Sequence, residues 1–168
     1  MKTIRYTFMN SPIGSLLLAG DGHRLSRIGF PSGKGAVQPK PEWMFDDAAF
    51  DEAKAQLQAY FDGKRQEFDL PLDLNGTNFQ CDVWQELIRI PFGVTISYGE
   101  LARRIGRLSA SRAVGAANGA NPLPIVIPCH RVIGANGSLT GFGGGLDTKK
   151  WLLALERAVA GDDEPRLL

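Results

Sequence analysis

Among 168 residues there are two cysteines and two histidines. A zinc site would need nearly all of these soft ligands to converge. Cys81 and Cys129 show neither a paired disulfide framework nor Cys-x-x-Cys spacing, so the chain reads as metal-free and without a cofactor. Long apolar runs are missing too: nothing approaches the length of a membrane-spanning helix, and no membrane partner is expected. The nearest approach to an export signal is Lys2 and Arg5 followed by Ser15-Leu16-Leu17-Leu18-Ala19. Pro12 and Gly14 interrupt it and its apolar stretch is too short, so it reads as a strand and a cytoplasmic location is expected. The stretch Gly141-Phe142-Gly143-Gly144-Gly145 lacks the Lys-Ser/Thr ending of a phosphate-binding loop. A net charge of +1 gives little long-range steering of any partner.

The distribution of charge is more informative than its sum. From Arg89 to Arg157 there are nine cations and three anions, a local excess of +6, and a basic C-terminal half can attract a polyanion. An ordinary solvated surface would carry such an excess equally well. The length suits one good domain or two small ones sharing a core, with a division expected at 1–76 and 77–168.

Residues 4–8, 15–19 and 25–30 are short apolar runs separated by Asn10-Ser11-Pro12 and Asp21-Gly22, the pattern of an antiparallel meander. Pro31 to Pro41 reads as an exposed loop. Asp46 to Phe61 reads as a helix, with Ala49, Ala53, Leu57, Tyr60 and Phe61 at helical spacing, stopped by Gly63. Phe68 to Leu74 reads as an extended crossing to the second half. There, Thr77 and Gln80 have capping-box spacing before a helix that ends ahead of Pro91, and Ser97 and Glu100 repeat it before a helix stopped by Gly106. Ser109 is placed to cap the next helix, through Arg112 to Ala117. Two short helices around a glycine turn form a helix-turn-helix pattern, used by DNA-binding domains and also found as a plain packing unit. Asn121-Pro122-Leu123-Pro124 ends it. Ile125-Val126-Ile127 reads as a buried strand running into the cysteine. Asp147 is expected to cap a last helix, Thr148 to Ala160, closed by Gly161, and the tail from Asp162 to Leu168 is expected to fray.

The richest segment is Ile127-Pro128-Cys129-His130-Arg131-Val132-Ile133, which sets a thiol beside an imidazole. A free thiol, with a pKa of about 8.5, is mostly protonated at neutral pH and needs a base or a cation to become a nucleophile. Adjacent residues on an extended chain point to opposite sides, so a bridging water between Cys129 and His130 is a natural solution. The imidazole then needs an orienting acceptor. Glu156 is the best placed, on the border of the apolar face of the last helix, where a carboxylate is costly unless paired. Periodicity alone also allows a rim glutamate bonded to Lys149 or Arg131, and slightly favours it. Cys81, inside an amphipathic helix, reads as an inert small hydrophobe, and His23 as a solvated turn residue. Arg112 could be an ordinary surface arginine, yet Ala110, Ala113, Gly115, Ala116 and Ala117 leave it the only long side chain on a smooth helix.

Pro128-Cys129-His130-Arg131-Val132 resembles the active-site motif of the O6-alkylguanine-DNA alkyltransferases, also called methylated-DNA–protein-cysteine methyltransferases. Ser11-Pro12-Ile13-Gly14, Phe79 to Pro91, Ser97-Tyr98-Gly99-Glu100-Leu101-Ala102, Arg112-Ala113-Val114-Gly115, Asn121-Pro122, Gly144-Gly145-Leu146 and Trp151 to Glu156 follow in family order, so the likeness covers nearly the whole chain. It implies an α+β fold: an N-terminal ribonuclease H-like antiparallel sheet domain and a helical, winged-helix-like C-terminal domain with a helix-turn-helix. It implies a partner, double-stranded DNA containing O6-alkylguanine, and a stoichiometric transfer of the alkyl group to Cys129, with O4-alkylthymine a further substrate to test. Cys129, His130, Glu156 and Asn121 match the catalytic positions, the first three as a Glu–His–water–Cys relay and Asn121 as a hinge to the helix-turn-helix. Tyr98, Val132 and Gly143 match positions that bind the base. Arg112, Ala113, Gly115 and Tyr98 match the groove-facing set, with Arg112 the finger that fills the stack after base extrusion. The resemblance further implies the short stand-alone form, a monomer in solution with cooperative assembly on DNA open.

Two features depart from the family pattern. Phe142-Gly143 stands where vertebrate members have a Tyr-Ser pair, and the N-terminal zinc ligands of some members are absent. Two other kinds of protein share part of this pattern. Non-catalytic alkyltransferase-like proteins have tryptophan in place of the cysteine, and cysteine hydrolases bring Cys and His together from distant segments.

Overall fold

The computed structural model describes residues 3–139 and 141–161 and the backbone of 166–167. Strands β1 (Arg5–Ser11), β2 (Gly14–Gly20) and β3 (Leu25–Gly29) form the expected meander. The two-residue β4 (Met44–Phe45) then joins the edge of β1 in parallel, giving the order β3-β2-β1-β4. The sheet is therefore antiparallel with one short parallel edge. Helix α1 (Asp51–Phe61) lays Ala53, Leu57, Tyr60 and Phe61 on the core. It starts five residues later than its pattern suggests because Phe50 takes φ 63°, a left-handed conformation that no α-helix continues through. The crossing segment hydrogen-bonds along β3, Leu25 N to Pro71 O and Asp73 N to Leu25 O, both at 2.9 Å.

In the second half, α2 (Asn78–Ile88) opens on a complete Thr77–Gln80 capping box. At α3 (Tyr98–Arg104) only half of that device forms: Ser97 accepts from Glu100 N, while the Glu100 carboxylate turns to Arg103 and Arg104. Ser109 does not cap α4 (Ser111–Gly119). It lies in a one-turn 3₁₀ segment, Leu108–Ala110, and the residue at the cap is Ala110, with no side-chain bond. Asp147 likewise is not the cap of α5 (Leu146–Ala160); Gly145 at φ 89° takes that position, leaving Asp147 in the first turn, where the helix dipole favours it. Gly161 at φ 81° closes α5 as expected. Short parallel strands β5 (Val94–Ser97), β6 (Val132–Ile133) and β7 (Arg166–Leu167) line up as β6-β5-β7. The fraying expected of the tail thus does not hold for 166–167, and the rest of it lies outside the described residues.

One apolar core runs through both halves, from Leu18, Leu57 and Tyr60 to Trp84, Leu101, Val114 and Leu152. Trp84 is buried, and its indole N–H donates to Ala117 O at 2.9 Å, fixing α4 against α2.

Candidate functional site

Ile125 to Ile127 is not a strand. Ile125 takes φ 75°, a strained value for a β-branched residue, and Ile127 N closes back on Leu123 O at 2.8 Å. Pro128, at φ −80° and ψ 66°, makes an inverse γ-turn, with Cys129 N donating to Ile127 O at 2.7 Å. Cys129–Arg131 is then a 3₁₀ turn, so thiol and imidazole leave a tight coil instead of opposite sides of an extended chain. Asn121 clamps this coil at two points: its Nδ2 donates to Ile127 O at 2.7 Å, and its Oδ1 accepts from Leu123 N at 3.0 Å.

Glu156 is buried, and its carboxylate gathers five donors. Oε2 accepts from Tyr60 Oη at 2.6 Å and from Arg131 Nη2 at 3.1 Å, and lies 2.6 Å from His130 Nε2. Oε1 accepts from Arg131 Nε at 2.8 Å and Gly93 N at 3.1 Å. The rim position is excluded, although one partner foreseen for it, Arg131, is real. Burial pushes the Glu156 carboxyl up, but the attraction and hydrogen bonds of His130 and Arg131 overcome it and hold the group well below the usual carboxylate range. Burial lowers the His130 pKa, outweighing the pull of Glu156. The imidazole is therefore neutral near pH 7, and Arg131 is the cation that keeps Glu156 charged. An ionised carboxylate only accepts, so His130 Nε2 must carry the proton and Nδ1 the lone pair. Nδ1 is buried and bonded to no described residue, in the right state to take a proton.

Cys129 is buried with its thiol pushed up to about 11 by burial, a shift moderated by a hydrogen bond from the Asn121 side chain and by the charge of Lys149. Lys149 is fully buried, donates to Val132 O at 2.7 Å, and is brought down to about 8 by desolvation. Near pH 7 a lysine ammonium faces a protonated thiol, and removing that proton creates the ion pair.

The thiol lies in the wall of a cavity of about 130 Å³. Asn118, Asn121, Cys129, Phe142 and Gly143 line it from the C-terminal half, and Phe30 and Gly35 from the N-terminal half. Pro31 to Pro41 is thus only partly the free loop expected. Gly35 N donates to Gly143 O at 2.8 Å, and Phe30 meets Phe142 edge-on at 5.4 Å. A Cβ on Gly144 would come within 2.9 Å of the Phe30 ring, so only glycine lets the two loops close this far. A wider groove of about 430 Å³ shares Gly119, Gly141, Phe142 and Gly143 with the cavity and is walled by Tyr98, Ser111 and Gly115. A Cβ added to Gly115 would lie 4.0 Å from the Tyr98 ring, so the glycine leaves open space in front of the tyrosine.

Cys129, His130, Glu156 and Asn121 therefore form one constellation, and Tyr98, Gly143 and Gly115 border its entrance. Val132 lines neither space and contributes its carbonyl to Lys149. Arg112 and Ala113 lie on the exposed face of α4. Tyr60, Lys149 and Asn118 carry no motif of their own that marks them as site residues, and Arg131 sits in the motif without a role that the motif declares. Cys81 is half-buried, not fully internal, with Sγ 3.8 Å from Gly76 O.

A helix-turn-helix domain that backs its exposed arginine helix with a buried Glu–His array and a thiol in a cavity wall defines a DNA-directed cysteine nucleophile. Comparison with known proteins narrows the class. Residues 4–74 match the model of the 6-O-methylguanine DNA methyltransferase ribonuclease-like domain and residues 78–158 that of its DNA binding domain, and the chain belongs to this family. It is 50% identical over 151 residues to the methylated-DNA–protein-cysteine methyltransferase of Methanosarcina acetivorans, covering 90% of this chain and 97% of that one. A structure of Mycobacterium tuberculosis OGT in complex with DNA superposes with a TM-score of 0.87 at 50% identity, covering 92% of this chain and 94% of that one. An O6-methylguanine DNA methyltransferase of Methanococcus jannaschii, at 30% identity and covering 89% and 92%, gives 0.63. No helix among the described residues is long and apolar enough to cross a membrane.

Proposed function

We propose that the protein repairs O6-alkylguanine in duplex DNA by moving the alkyl group to Sγ of Cys129, once per molecule. What supports this reading is the buried array: Glu156, charged and hydrogen-bonded from several sides, fixes a His130 tautomer whose Nδ1 is bonded to no described residue, next in the chain to a thiol that lines a cavity. His130 draws the thiol proton through one bridging water. The Lys149 ammonium and the Asn121 amide hold the thiolate as it forms. Sulfur attacks the alkyl carbon in line, the C–O6 bond breaks with its electron pair staying on oxygen, and the proton ends on guanine. A thioether has no easy leaving route, so the change is permanent. Extrusion of the base is what delivers it to a buried thiol, and Tyr98, at the cavity mouth, is the group placed to crowd the backbone and hydrogen-bond the purine. The two units divide at 76/77, and a cytoplasmic setting keeps Cys129 reduced.

Duplex carrying a labelled alkyl group tests this. Label bound to Cys129 at one equivalent per chain supports transfer. Binding without label shows a lesion sensor, and turnover of an ester or amide shows a hydrolase. Arg112→Ala is expected to slow transfer from duplex by about 10- to 100-fold while leaving the reaction with free O6-benzylguanine within about twofold, because base extrusion costs a few kcal/mol that a free base never incurs. Equal losses on both substrates would show that Arg112 does not fill the stack.

A further inference from the structure

One polar group in the wall of the cavity has no role in the relay. Asn118 lies on the buried face of α4, in the stripe of Val114 and Ala117, and is 5% exposed. It lines the same cavity as Cys129, yet its Oδ1 is buried without a hydrogen-bond partner among the described residues. A buried amide oxygen left unpaired is destabilising, and such groups persist where a ligand satisfies them. Ile28, Phe30, Pro122, Pro124 and Phe142 in the same wall are apolar, and neither of its two cations, Arg27 and Lys34, bonds this oxygen. Asn121 differs, since both ends of its amide are already bonded to the chain.

We propose that Asn118 is a specificity-determining residue that reads the extruded base, its Oδ1 accepting from the exocyclic 2-amino group. This rests on the alkyl-transfer reading and says which feature of the base the site selects. O6-alkylguanine carries that donor. O4-alkylthymine, with its ring nitrogen stripped of hydrogen by alkylation, presents only acceptors along the same edge and would set oxygen against oxygen. The preference for guanine lesions over thymine lesions then lies in one side chain, and removing that side chain evens out the two. The relay atoms are untouched by such a change, so the chemistry itself continues.

The test is single-turnover transfer to Cys129 from three duplexes identical except for O6-methylguanine, O6-methylhypoxanthine (which lacks the 2-amino group) or O4-methylthymine. The wild-type protein is expected to lose about 10- to 100-fold on deletion of the amino group, the cost of leaving a buried acceptor unpaired. In Asn118→Leu and Asn118→Ser the guanine and hypoxanthine rates should converge to within about twofold, with O4-methylthymine gaining relative to both. Unchanged discrimination in the two variants overturns the assignment. Should both variants misfold, the side-chain amide resonances of Asn118 in Cys129→Ala decide. They should shift on adding the O6-methylguanine duplex and stay with the hypoxanthine duplex, and identical responses overturn it. A wild-type protein that alkylates from none of the three would instead remove the alkyl-transfer reading, and this assignment with it.

Discussion

Cys129→Ala is expected to abolish alkyl transfer completely while the affinity for duplex stays within about twofold of wild type. Among the described residues the thiol is the one nucleophile in the wall of the cavity, whose remaining lining is amide, aromatic, aliphatic and glycine apart from the exposed Arg27 and Lys34. Cys81, the other thiol, is on α2 and lines none of the spaces around the relay, so it offers no second acceptor. Binding should survive because the surface proposed for DNA, the exposed face of α4 around Arg112, is separated from Cys129 by the buried face of the same helix. The fold should survive too. Serine in place of alanine would leave a hydroxyl whose proton His130 cannot take at neutral pH, with the same loss of transfer. The measurement is label retained by the denatured protein after incubation with alkylated duplex, beside a titration of undamaged duplex. Stoichiometric label in the alanine variant would sink the assignment of the nucleophile.

Much of this site is written locally, and the rest is not, for a physical reason. Cys129 and His130 are neighbours in the chain, and the chemistry of a thiol beside an imidazole shows without a fold. The Thr77–Gln80 cap, the glycine stop at Gly161 and the three long strands are local devices and stand where the pattern puts them. Periodicity, however, says which face of a helix turns inward and not what it meets there. Tyr60 reads as one more apolar position of α1, yet its hydroxyl ends 2.6 Å from a carboxylate 96 residues away. Lys149 counts as one of nine cations in a basic half, but it is fully buried beside the thiol. Asn118 hides among alanines and glycines. Ile125 looks like strand because β-branched residues favour strands, and only the surrounding turns force its φ positive. Ser109 and Asp147 have the right chemistry for caps but lie a residue or two off the helix starts that the packing dictates.

Glu156→Gln is expected to be the most damaging change that keeps the shape of the side chain. Five donors converge on the carboxylate, and glutamine would turn an N–H₂ against some of them. Arg131, buried and ion-paired to Glu156 at 2.8 Å, would keep its charge with no counterion. Breaking a buried pair from one side costs about 3–5 kcal/mol, which for a protein of this size lowers Tm by roughly 6–20 °C. Catalysis should fall as well, by about 10²- to 10⁴-fold, since the imidazole loses both its orienting acceptor and the anion that stabilises its protonated form. A less basic His130 takes the thiol proton less readily, so the rise of alkylation rate with pH should move to higher pH. Stability should change with pH in a sense that isolates the charge. The Glu156 pKa is depressed in the folded protein, so its contribution is complete above the unfolded-state carboxylate value of about 4.3 and is lost as pH falls toward the folded one. The gap in stability between wild type and variant should therefore be widest near pH 7 and narrow below about pH 4. Denaturant melts across that range, run beside the pH profile of alkylation by free O6-benzylguanine, measure both effects. A variant with wild-type Tm and an unshifted rate profile would mean that neither His130 nor Arg131 depends on this carboxylate.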